Sequence, residues 1–197
     1  MSEQAERVCG TCTMCCKVLR IEELQKPQGE WCPNCAVGKG CKIYSERPTE
    51  CRSFSCGYLS WEGLPEYWFP ARSKLVVVGD SDGRRIAVHV DPSMPASWRA
   101  EPYYSDIKSW SVGAVAEGRQ VIVGIKNRQI VIFPDRDVDL GPVAEDEGVV
   151  VRELPGPAGS RFEAAKVNIS DPRIAGMTPG RISKLGVGGS DESLDWR

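Results

Sequence analysis

Nine cysteines, Cys9, Cys12, Cys15, Cys16, Cys32, Cys35, Cys41, Cys51 and Cys56, lie before residue 60 of a 197-residue chain, and none follows. Two residues between thiols, as in Cys9-x-x-Cys12-x-x-Cys15 and Cys32-Pro-Asn-Cys35, let both sulfurs turn toward one ion at about 2.3 Å, the zinc to sulfur distance. Adjacent Cys15 and Cys16 diverge along the backbone and suit two different centres. One site with four cysteine ligands would leave five of the nine thiols idle, whereas two such sites use eight and leave one. The count therefore favours two centres. Ordinary buried cysteines, or disulfides exchanging between C-x-x-C pairs, account for this density less well.

All-sulfur ligation suits zinc and iron-sulfur clusters alike, so ligand type leaves the metal open. The run C-x2-C-x2-C departs from bacterial ferredoxins, which continue x3-C-P, because Cys16 follows Cys15 directly. The C-x3-C-x2-C spacing of radical SAM enzymes is also absent, Leu19 standing where its third cysteine would be. Zinc is the expected cofactor, with iron or an iron-sulfur cluster as the alternative. Imidazole chemistry has little material, since His89 is the only histidine. It falls in the apparent strand Ile86-Ala-Val-His-Val, where alternation puts it opposite Val88 and Val90 on the face expected to meet solvent. No Ser, His and Asp arrangement forms a nucleophile motif, and no catalytic residue is assigned.

CTMCC, WCPNC, GKGCKIYSERPTECRSFSC and GYL together resemble the YkgJ-type cysteine-cluster family, the zinc- or iron-chelating CxxCxxCC proteins. The resemblance covers roughly Cys9 to Leu59, and its most specific part is Cys-x-Ile-Tyr-x-x-Arg-Pro-x-x-Cys-Arg-x-Phe-x-Cys. It implies Cys9, Cys12, Cys15, Cys16, Cys41, Cys51 and Cys56 as ligands, with Cys32 supplying the cysteine ahead of the Gly-Cys step and Cys35 left spare. Tyr44, Arg47, Pro48, Arg52 and Phe54 match the motif without being ligands. Arg47 or Arg52 is expected to donate hydrogen bonds to thiolates, because paired all-thiolate sites carry excess negative charge. Flagellin lysine N-methylases are similar in their cysteine-rich region, which admits an enzyme acting on protein side chains as a further alternative. An iron-sulfur redox or sensor protein is the other.

The elements that must hold these thiols are short. Cys12 to Arg20 is expected as a helix that brings Cys12, Cys15 and Cys16 to one face. Ser45 and Pro48 are expected to start a short helix through Glu50 to Phe54, which carries Cys51 and releases Cys56. Beyond the aromatic strip Gly57 to Pro70 the pattern changes. Lys74 to Val78 and Arg84 to Val90 read as a hairpin about Asp80-Ser81-Asp82-Gly83. Gln120 to Ile125 and Gln129 to Phe133 read as a second hairpin, Tyr104 to Glu117 as one helix, and Glu147 to Leu154 as a further strand. Trp98, Trp110, Tyr103 and Tyr104 are expected in core packing.

The resulting expectation is an α+β chain: a cysteine-rich, metal-stapled module over residues 1–60, an antiparallel sheet with one main helix over 61–171, and a flexible tail over 172–197. With 25 Lys and Arg against 27 Asp and Glu and a net charge of -2, no nucleic-acid or anionic-membrane partner is indicated. No stretch approaches the roughly 20 apolar residues of a membrane span. A cytoplasmic, reducing location fits thiols kept for metal, and a protein partner is the expected use of a structural metal module.

Overall fold

Between residues 7 and 60 the chain holds little regular structure. The structure, a computed structural model, describes residues 7–80, 83–154, 161–172 and 182–183. Its first elements are α1 (Met14–Val18), a minimal antiparallel pair of β1 (Cys35–Ala36) and β2 (Gly40–Cys41), α2 (Thr49–Ser53) and α3 (Gly57–Ser60). A single turn, α4 (Pro70–Ser73), then leads into the sheet.

Short runs of β-branched residues build that sheet, in which β3 (Leu75–Gly79), β4 (Arg85–Val90), β5 (Gln120–Ile125), β6 (Arg128–Ile132) and β7 (Asp137–Pro142) lie side by side in chain order. The first expected hairpin forms, with Leu75 opposite Val90 and Gly79 opposite Ile86. Gly83 takes φ +64° and donates to the Asp80 carbonyl at 3.0 Å, while Ser81 and Asp82 lie outside the described residues. In the second hairpin Ile125 pairs with Arg128, so the connection is the two residues Lys126-Asn127 rather than three, with Lys126 at φ +52°. β7 was not anticipated; its Asp137, Asp139 and Gly141 dilute the apolar signal of Val138 and Leu140.

The expectation of an antiparallel sheet needs one correction: β4 and β5 run parallel, Ile86 opposite Val121. Parallel neighbours need a crossover, and α5 (Tyr103–Ala116), the expected main helix, supplies it. Its Ile107 is fully buried with Leu75, Val88 and Val123. Trp68 is also sealed inside, its ring 4.7 Å from that of Trp110 and its indole N–H donating to Asp106 Oδ2 at 2.8 Å. Trp98 packs on Tyr104 as core, as expected.

On the opposite face, the hairpin of β8 (Glu147–Leu154) and β9 (Arg161–Asn168) lays Val149 and Phe162 against Ile122, Val131 and Phe133. β9 escaped the sequence reading because alternate residues of RFEAAKVN are mostly exposed and charged. Within the segment expected to be a tail, β10 (Ile182–Ser183) pairs with β8. The rest of that segment beyond Pro172 lies outside the described residues. Among the described residues no helix is long and apolar enough to cross a membrane.

The cysteine segment shares this core. Met14 and Val18 from α1, with Tyr58 from α3, are buried in the same cluster as Val76 and Val121. Gly57 lies so close to β3 that an added Cβ would stand 2.9 Å from the Val77 carbonyl oxygen. Lys17 of α1 pairs with Asp91, just past β4, at 2.6 Å, and both side chains are largely buried. This covering corrects the reading of His89. It does point away from Val88 and Val90, yet it is buried, because the cysteine segment lies over that face and Gln28 Nε2 stands 3.3 Å from its Nδ1.

Candidate metal centre

α1 is shorter than the helix expected over Cys12 to Arg20, because Leu19 turns to extended backbone at φ -90°, ψ 149°. Cys15 and Cys16 therefore ride on its first turn, and Cys12 sits in a preceding turn closed by its N–H on the Cys9 carbonyl at 2.9 Å. Thr13 precedes the helix, and its Oγ1 accepts from Gly38 N–H at 3.2 Å, tying α1 to the β1–β2 hairpin. Cys32 and Cys35 close a knuckle-like turn, the Cys35 N–H donating to the Cys32 carbonyl at 3.0 Å. Cys35 and Cys41 then face each other across the β1–β2 pair. The turn between those strands depends on Gly38 at φ +70° and Gly40 at φ +127°, which L side chains rarely adopt.

Cys51 rides on α2. Ser45 does not cap that helix; it lies inside a separate turn, Tyr44–Glu46. The free amide of Glu50 is met instead from outside, by Glu23 Oε1 at 3.1 Å, and the Glu23 amide donates in return to Glu50 Oε2 at 3.3 Å. Such a reciprocal carboxylate link between distant segments leaves no mark in local sequence. Cys56 stands just ahead of α3 and is buried.

These elements bring eight of the nine cysteines, all but Cys56, to the lining of one cavity of about 300 Å3. Leu19, Ile21, Leu24, Ile43 and Phe54 supply its apolar wall. The thiols meet one another: Cys16 is in hydrogen-bond contact with both Cys15 and Cys35. Among the described residues no three His, Cys, Asp or Glu side chains already form a metal site. The donor set nevertheless has the chemistry of a thiophilic ion. A closed site for such an ion takes four sulfurs at about 2.3 Å from a common point.

Burial and the proximity of other thiols make Cys9, Cys12, Cys16, Cys35, Cys51 and Cys56 weaker acids than a free thiol. Burial lifts Cys35, Cys51 and Cys56 to about 11, and thiol neighbours add to the rise in each. Cys16 is raised most, first by its hydrogen bond with Cys15 and then by burial. A cation nearby works the other way, and the structure places one that the sequence reading missed. Lys26 is 3% exposed, donates from Nζ to the carbonyls of Lys17 and Leu19, and lies close to Cys32, Cys16 and Cys15. Burial lowers its own pKa, and those cysteines counter the drop. No motif flags Lys26; its role comes from a turn that pairs Ile21 with Lys26 and folds the ammonium inward. Of the two arginines expected here, Arg47 lines the cavity, stacked 4.2 Å over Tyr44, whereas Arg52 reaches Thr49 Oγ1 at 3.4 Å.

A larger cleft of about 880 Å3 lies between Gln25, Gln28 and the Lys126-Asn127 turn. Its charged lining is partly self-paired, Arg20 bonding Glu22 and Glu145 at 2.7 Å each, and it presents no thiol. The chemistry of the chain therefore concentrates in the smaller cavity. Comparison of the chain with protein-family models, with curated proteins and with solved structures finds no match.

Proposed function

We propose that this chain is a metal-binding protein that holds zinc through its cysteine cluster in two all-cysteine centres, with iron or an iron-sulfur cluster as the alternative occupant. The observation that carries the reading is the convergence of eight thiols from four separate segments on one cavity. Membership of the YkgJ-type cysteine-cluster family belongs to the same proposal and rests on the motif. The eight ligands would be drawn from the nine thiols Cys9, Cys12, Cys15, Cys16, Cys32, Cys35, Cys41, Cys51 and Cys56, and Lys26 would offset part of the thiolate charge.

The role that follows is structural. The cysteine segments are built from helices of four or five residues and strands of two, too short to persist unaided. Ligation would staple these loops to one another and to the edge of the sheet, converting binding free energy into folding free energy. A surface stabilised in this way serves protein interaction in the cytoplasm.

The test is elemental analysis of protein purified without oxygen, with absorbance recorded on the same sample. About two zinc per chain and no visible band is the expected result. Iron with matching sulfide and a broad visible band would transfer the reading to a redox or sensor protein. Protein free of metal that fails to take up zinc on titration would overturn it.

A further inference from the structure

We propose that the nine cysteines divide into an inner centre of Cys9, Cys12, Cys15 and Cys56 and an outer centre of Cys16, Cys32, Cys35 and Cys51, with Cys41 left as a free thiol. The inference rests on the metal-binding reading and goes further by assigning each thiol. Successive positions on a helix point about 100° apart, so Cys15 and Cys16 of α1 enter different surroundings. Cys15 packs with Cys12 against the main core, in which Cys56 is buried. Cys16 and Cys51 pack instead on a separate small cluster formed by Ile21, Cys32 and Cys35. Two hydrogen-bonded steps of backbone bind that second group together, Cys32 N–H to the Cys16 carbonyl and Cys35 N–H to the Cys32 carbonyl, each at 3.0 Å.

Cys9 joins the inner set through its turn with Cys12 and through its proximity to Cys56. Contact between Cys15 and Cys16 sets the two centres side by side. Each set then holds the four sulfurs a closed tetrahedral site needs. The ninth thiol is decided by the small apolar cluster, on which Cys16 and Cys51 pack although they are no more buried than Cys41. Cys32 and Cys35 are buried and form a C-x-x-C knuckle, whereas Cys41 is half-buried on β2 and stands outside the small apolar cluster. This reverses the assignment implied by the family resemblance, which makes Cys41 a ligand and Cys35 the spare.

The experiment is differential alkylation of the full-length, metal-loaded protein. Iodoacetamide is applied first; the protein is then unfolded in chelator and reductant, the remaining thiols are labelled with N-ethylmaleimide, and peptides are mapped by mass. The expected map carries the first label on Cys41 alone. Cys41→Ser should retain the full metal content, while Cys15→Ser and Cys35→Ser should each lose half of it. First label on Cys35 with Cys41 protected would overturn the division and leave metal binding standing, as would loss of metal from Cys41→Ser. A wild-type protein that carries no metal and reacts at all nine thiols would instead sink the underlying metal-binding reading. The wild-type map decides even where a serine variant fails to fold.

Discussion

Stability should fall below neutral pH because of His89. The ring is buried, Gln28 Nε2 donates to its Nδ1 in the tautomer protonated on Nε2, and Arg85 lies near on the same strand. Burial and then the Arg85 charge lower its pKa from 6.5 to about 4. The sign follows from proton counting. Between those two values the unfolded chain binds a proton that the folded chain refuses, so acid favours unfolding. The contribution is complete above 6.5 and is lost as pH falls toward 4. At 1.36 kcal/mol per unit, the gap corresponds to about 3 kcal/mol, a large fraction of the stability of an ordinary domain. The assay is urea unfolding of wild type and His89→Gln across that range, followed by tryptophan fluorescence. Metal and thiol protonation affect both proteins equally, so the difference between their profiles isolates His89. Wild type should lose about 3 kcal/mol more than the variant. Parallel profiles would refute the reasoning, since they would mean that the imidazole is solvated or finds a partner when charged.

Two further perturbations test how the cysteine segment is fastened to the sheet. Asp91→Asn leaves the Lys17 ammonium without its 2.6 Å partner in a largely buried place and should cost about 3 kcal/mol, read as a lower urea midpoint with unchanged slope. Gly57→Ala pushes a methyl group to 2.9 Å from the Val77 carbonyl and should cost about 1–3 kcal/mol, whereas Gly63→Ala, with open space at that position, should shift stability by no more than about 0.5 kcal/mol. Equal effects of the two glycine substitutions in thermal unfolding would contradict the close approach of α3 to β3.

Much of the sheet was legible because its signals are local. Asp80 and Gly83 mark a turn, and the Val and Ile runs on either side carry strand propensity whatever they pack against. α5 was legible for the same reason, as one long segment with apolar residues at helical spacing. The parallel pairing of β4 and β5 was not, because pairing direction is set by where a crossover returns the chain. β9 was missed because only one of its faces meets apolar neighbours, Phe162 and Ala164 reaching the cluster while charged residues face outward.

The chemistry divides in the same way. Cysteine number and the C-x-x-C spacing are properties of the chain, and they point to thiol ligation before any fold is known. What only the tertiary structure decided is which thiols meet, since Cys16 contacts Cys35 across 19 positions of sequence. It also decided that His89 is buried and that Lys26, with no motif around it, turns its ammonium toward the thiols. Burial depends on what another segment lays over a residue. Alternation along one strand shows which way His89 points, and only the distant loop carrying Gln28 determines that water is not what it meets there.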